Sequence, residues 1–238
     1  MKLSYEYETG IIEFDVVFSN RRTMAIQIEP PDKIKVLSPK GAKKDEILKA
    51  VKGKSKWIVQ KLFQLDEMEA LKKTRKMVNG ENLLYMGVDY HLEIIVDKIY
   101  KKPELELFRD VLYVYINIDD KDKIRLALKN WYKEKSLEKV RERVTYYQKY
   151  FELVPNKIMV KEQKRRWGSC TSARNLYFNW KIIMAPSHLL DYLVVHEMCH
   201  MVHMNHSAEY WNLVRSILPD YKERRDLLKN QGVKYDLE

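Results

Sequence analysis

The run Tyr192-Leu193-Val194-Val195-His196-Glu197-Met198-Cys199-His200 places two histidines four residues apart in an apolar stretch. Leu189, Leu190 and Met201 extend that apolar character on either side. Pro186-Ser187 supplies a start signal with Ser187 as N-cap, so the pattern predicts a buried helix over 187–204. On a helix, residues i and i+4 are neighbours with Cβ atoms about 6 Å apart. Both imidazoles can then reach one cation, and zinc takes histidine nitrogen at about 2.0–2.1 Å. Glu197 is turned by about 100° from His196. It need not ligate; it can take a proton from water that the metal has acidified to a pKa near ~7. The competing reading is a chance H-E-x-x-H on an amphipathic helix. Against it stands the cost of burying a glutamate and two histidines for no purpose. The clustering also counts, since four of the six histidines lie between 196 and 206.

A catalytic zinc site needs a third protein ligand. His206 follows His200 by six residues, the spacing of H-E-x-x-H-x-x-G-x-x-H with His203 in place of the glycine. An unbroken helix would carry His206 away, so a break near Met204-Asn205 is expected, with Asn205 in the left-handed region. Two competitors remain: His203 on the same helix stripe, and Glu209 on a helix expected over 207–217. Cys199 is read as a small buried side chain rather than a thiolate ligand.

Upstream, the period changes. Ile11–Phe18, Met24–Ile28 and Lys33–Leu37 read as strands, with Pro30-Pro31-Asp32 as a turn. Residues 43–76 read as one basic helix or two, Lys and Arg outnumbering Asp and Glu by about two to one. Gly53-Lys54-Ser55 there is no phosphate loop, because Leu48 stands where its first glycine belongs. Residues 79–118 return to strands, and 120–151 form the longest helical pattern, with Trp131, Tyr146, Tyr147, Tyr150 and Phe151 read as core. Ile158–Val160 and 176–183 are further strands. No internal repeat is visible. The order gives an α+β fold. The division is expected near residue 119: an N-terminal β-rich region with a basic helix over 1–119, and a catalytic domain over 120–238.

The 238 residues suffice for a sizeable core, and 45% hydrophobic with 33% charged residues is ordinary for a globular protein. No apolar run approaches the ~18–20 residues of a membrane span, so no membrane partner is expected. The N-terminus shows no apolar signal core. Only Cys170 and Cys199 are present, which excludes a disulfide framework and suits the cytoplasm. The net charge of +10 attracts polyanions and keeps nucleotides and nucleic acid open as partners.

Lys164-Arg165-Arg166-Trp167-Gly168-Ser169-Cys170, Asn175–Trp180, Ala185-Pro186, Tyr192–His200 and Asn205-His206-Ser207 with Trp211 together resemble the YgjP-like metallopeptidases, relatives of the SprT-like and WLM zinc proteases. The resemblance implies one Zn2+ held by His196, His200 and His206, with Glu197 as general base in a zincin-like domain. It also implies that the strand over 176–183 lies beside the site as an edge on which an extended peptide substrate pairs. Arg165 and Arg166 are candidate anion-binding residues at its rim, beside Lys164, against the reading of a solvated basic segment. Asn179 is a further substrate-site candidate, and Tyr210 a candidate oxyanion donor. Three functions follow: a zinc metallopeptidase acting on peptides or proteins, a metal-dependent nucleotide pyrophosphatase or phosphohydrolase, and a DNA-associated protein-binding or protease module.

Overall fold

Alternating apolar residues build the first sheet. In a computed structural model, which describes residues 1–7, 10–29, 32–70, 75–163 and 166–237, β1 (Lys2–Tyr7), β2 (Gly10–Ser19), β3 (Ala25–Glu29) and β4 (Lys33–Pro39) form a four-stranded sheet of order β1-β2-β4-β3. The central pair β2–β4 is parallel and both flanking pairs are antiparallel. Ile12, Phe14 and Val16 of β2 and Ile34 and Val36 of β4 point inward at period two. They pack on Ile47 and Val51 of α1 (Lys44–Lys52) and Ile58 of α2 (Ser55–Ala70). The basic segment is therefore two helices. Gly53 ends α1, donating to the Lys49 carbonyl, and the Ser55 hydroxyl donates to the Val51 carbonyl. The Pro30-Pro31 turn, Lys164 and Arg165 lie outside the described residues.

The second sheet repeats this strand order in unrelated sequence. β5 (Asn82–Tyr85), β6 (Val88–Val96), β7 (Glu104–Phe108) and β8 (Val111–Ile116) stand in the order β5-β6-β8-β7, again with a parallel centre and antiparallel flanks. Period-two patterning constrains burial, not identity, so the recurrence leaves no sequence repeat. The β5–β6 turn uses Met86 at φ 52° and Gly87 at φ 80°, the pair of positive angles that a two-residue hairpin requires. It docks by donating from Met86 and Gly87 to the carbonyls of Ile183 and Met184.

From β8 the chain enters α3 (Lys121–Tyr147), capped by the Asp120 carboxylate, which accepts from the amides of Asp122 and Lys123. Its buried face carries Ile124, Leu128, Trp131, Tyr132, Val140 and Val144. Of the five aromatics expected in the core, Trp131, Tyr147 and Phe151 are buried, whereas Tyr146 and Tyr150 are about half exposed beneath Lys149. A small sheet of order β10-β11-β9 follows, from β9 (Lys157–Lys161), β10 (Gly168–Cys170) and β11 (Asn175–Asn179). Strand β11 stops at Asn179, short of the expected 183. The Asn179 side chain accepts from the Lys181 amide and opens a 3-10 turn over Trp180–Met184. All of Ile182, Ile183 and Met184 are buried, and a short continuous apolar run does not distinguish strand from helix. β11 is also the middle strand of its sheet, so the edge expected there belongs instead to β10.

Three helices complete the chain: α4 (Ser187–Cys199), α5 (Ala208–Ile217) and α6 (Tyr221–Gln231). Pro186 rather than Ser187 takes the N-cap position of α4. Ser207, the first residue of the helix expected over 207–217, takes the N-cap position of α5 and accepts from the Tyr210 amide. Contacts divide the chain into Met1–Lys72 and Lys73–Glu238, not at residue 119. The reason is packing: Leu83, Leu92, Leu112, Val114 and Ile116 of the second sheet share one core with α3 and α4, while the first sheet has its own. Among the described residues no helix is long and apolar enough to cross a membrane.

Candidate metal centre

Helix α4 is buried almost throughout. Leu189, Leu190, Leu193, Val194, Val195, Met198 and Cys199 fill the core and hold the helix rigidly. His196 and His200 emerge from its last turn. The helix ends at Cys199, five residues before the expected 204. The amides of Met201, Val202 and His203 donate to the carbonyls of Met198 and Cys199, closing a tight turn at once. Asn205 is not among the residues with positive φ. The early turn returns the chain without a left-handed residue and brings His206 over the helix end.

The three histidines converge. Their candidate ligand atoms lie within 4.8 Å of one another, and among the described residues this is the group of histidine, cysteine and acidic side chains so arranged. His206 Nε2 stands 3.3 Å from His196 Nε2. Two nitrogens bound at about 2.0–2.1 Å to one tetrahedral ion are roughly 3.3 Å apart, so the donor set fits a zinc-sized cation. The other ring nitrogens are engaged in a way that orients the rings. His200 Nδ1 donates to the His203 carbonyl at 3.0 Å, and His196 Nδ1 lies 3.4 Å from the Tyr192 hydroxyl. Such outer partners fix the tautomer and leave Nε2 for a metal. Thus His203 serves through its backbone, and Glu209 is an exposed residue in the first turn of α5 rather than part of the cluster.

Electrostatics favour the uncharged, ligating form. Burial, reinforced by His200 and His206, lowers the His196 pKa to about 3; burial likewise lowers that of His200. Burial drives the Cys170 and Cys199 thiols up to about 11 and about 12, so neither offers a thiolate near neutral pH.

The Glu197 carboxyl group packs against Gly168 of β10. The Glu197 side chain is 3% exposed, and Oε2 has no hydrogen-bond partner among the described residues. Burial raises its pKa to about 8, opposed by the positive charge of Arg166. The carboxyl group lies on Gly168: a Cβ there would stand 2.8 Å from both Cγ and Cδ of Glu197. Gly168 is a site residue to which sequence reasoning, having it within the Lys164–Cys170 motif, assigned no role. The contact joins residues 29 positions apart, and no local pattern announces it.

The other expected residues take definite places. Arg166 is exposed and lines a cleft of about 460 Å³ whose walls include Gly168, His196 and Glu197. Asn179 is buried, and its amide nitrogen donates to the carbonyls of Gln163 and Arg166 at 2.8 and 3.5 Å, pinning the segment that carries Arg166. Tyr210 is fully buried, stacks on the His200 ring at 4.6 Å, and donates its hydroxyl to the His196 carbonyl at 3.0 Å. That hydroxyl is committed to the backbone of the site helix. Trp211 stacks on the His206 ring at 5.4 Å.

Among solved structures, the metallopeptidase zymogen of Pyrococcus abyssi abylysin is similar over 38% of this chain and 93% of that chain, at 16% identity and a TM-score of 0.35. No curated protein matches. The family of YgjP-like metallopeptidase domains matches residues 22–231, and the chain belongs to that family.

Proposed function

We propose that this chain is a zinc peptidase with a zincin-like site, in which His196, His200 and His206 hold one Zn2+ and Glu197 is the general base. The carrying observation is the Glu197 carboxyl group, buried one residue after a ligand histidine and with Oε2 unpartnered. A buried polar atom without a partner is uncommon and calls for an account. Proton transfer from water during attack on a peptide carbonyl supplies one. A divalent ion in the histidine cluster supplies Lewis-acid polarisation and acidifies water. The residues then divide the work. Glu197 accepts the proton of the attacking water and passes it to the leaving amine. Gly168 leaves room for the carboxyl group, and the edge of β10 offers backbone groups on which an extended substrate pairs. Asn179 and Tyr210 act as positioning residues, one on the Arg166 segment and one on the site helix. Two free cysteines suit a cytoplasmic protein.

Glu197→Gln tests the reading. Loss of a general base costs on the order of 10²–10⁴ in rate. Peptide hydrolysis should fall by about 10³, with zinc content by atomic absorption unchanged. Undiminished turnover in the variant removes Glu197 from the mechanism.

A second reading rests on the cationic side chains of the cleft. The same base and metal would hydrolyse a phosphoanhydride, with Arg166 against the phosphates. Release of pyrophosphate or phosphate from nucleoside triphosphates, abolished by chelation, checks it.

A further inference from the structure

The cleft beside Glu197 has a wall contributed by α6. Leu228 of that helix is buried in the core, and Arg225 and Lys229 flank it at i−3 and i+1. Residues four apart share a helix face, so Arg225 and Lys229 stand side by side over the cleft. Arg166 lines it from the segment before β10. Three cationic side chains from two separate elements thus converge on the cavity that holds His196 and Glu197.

Their local partners do not neutralise them. Among the described residues, neither Arg166 nor Lys229 forms a close ion pair, although the Arg166 charge is felt by Glu197, and Arg225 pairs with its exposed neighbour Asp226 at 3.1 Å. Like charges at i and i+4 destabilise a helix; Arg225 also lies over the Trp211 ring, 5.7 Å from its centroid. Trp167, Leu193 and Leu228, with the ring of Tyr192, give the lining an apolar wall.

We propose that this cleft is a carboxylate subsite, which selects peptides presenting a free carboxylate beside the scissile bond. Arg225, Lys229 and Arg166 bind the carboxylate, and the apolar wall takes the side chain of the same residue. The proposal rests on the peptidase reading. A single carboxylate suits the lining better than a polyphosphate. Lys229 lies in the last turn of α6, where the helix dipole is negative and opposes the accumulation of negative charge that a polyphosphate brings. A phosphate chain also needs a cradle of backbone amides, whereas α6 presents its C-terminal end and side chains. The carboxylate has two sources, the chain terminus or an acidic side chain.

The test uses the zinc-loaded full chain and two matched peptide pairs, one differing as C-terminal acid against amide, the other as Glu against Gln beside the cleaved bond. Binding is measured by calorimetry to Glu197→Gln, and kcat/KM to the wild type. A hydrogen-bonded charge pair is worth roughly 10- to 100-fold. The acid of one pair should bind and turn over better by about that factor, and the pair that responds identifies the source. Arg225→Gln with Lys229→Gln, both at the surface, should erase the preference. Equal binding of acid and neutral forms overturns the subsite while leaving peptide cleavage intact. Failure to cleave any peptide, with the binding preference retained, sinks the peptidase reading instead. Binding of nucleoside triphosphates but of no peptide overturns the proposal.

Discussion

The two four-stranded sheets share one topology and carry different loads. In each, an antiparallel pair, a parallel centre and a second antiparallel pair lead into a helix. The first closes over a small core of Ile12, Phe14, Val16, Ile34, Val36, Ile47, Val51 and Ile58. The second is continuous with a far larger core that runs through α3 into α4, α5 and α6. The strand plan therefore says nothing about chemistry. What separates the regions is the 27-residue helix after β8, which gives α4 a rigid backing, where the first sheet is followed by the nine-residue α1. Function is placed on a scaffold by what the scaffold holds still.

The sharpest way to separate the regions is through the metal. A ligand that binds only the folded state stabilises it by RT ln(1 + [L]/Kd), about 2.7 kcal/mol at a hundredfold excess over Kd. With separate cores, zinc should raise the unfolding temperature of residues 73–238 by several degrees and leave that of residues 1–72 unmoved. His206→Ala should abolish the shift and, with it, hydrolysis. Calorimetry with zinc and with a chelator reads this. An undiminished shift in His206→Ala would hand the third ligand position to another group.

Gly168→Ala ranks next. The added methyl meets the Glu197 side chain near 2.8 Å, closer than packed carbons stand. Overpacking of this kind costs about 1–3 kcal/mol, and a base displaced by a fraction of an ångström loses rate. Hydrolysis should drop about 10- to 100-fold with zinc affinity unchanged, because the added methyl meets Glu197 and none of the three histidines. Wild-type turnover would show that the carboxyl group is free to swing aside.

These two experiments also mark what the sequence makes legible. His196 and His200 are readable because helix geometry fixes i and i+4. His206 is readable by spacing, but its path is not: the bonds from Met201 to Met198 and from His203 to Cys199 turn the chain before Met204-Asn205, and nothing about Cys199 or His200 signals a helix end. Gly168 is opaque because its constraint is a contact between distant segments. Arg225 and Lys229 are opaque because α6 shows only Tyr221 and Leu228 as buried residues, too few for a periodic pattern. The strands were legible through period two. The division was not, because the Asp120 cap marks where a helix starts and says nothing of which core it joins.

The smallest effect on the site is expected from the deepest change in the other region. Ile47 is fully buried against β2 and β4. Ile47→Ala leaves a cavity worth about 2–5 kcal/mol, a large share of what so small a unit has, since small units bury proportionately less surface. Its unfolding midpoint in denaturant should fall clearly. Zinc affinity and the zinc-dependent thermal shift of residues 73–238 should stay within error, because no residue of the histidine cluster or of its packing belongs to the first core. A fall in zinc affinity approaching that of His206→Ala would break the comparison at its root. The sheets would then be two halves of one cooperative structure, and their shared topology would reflect shared load rather than a repeated plan put to separate uses.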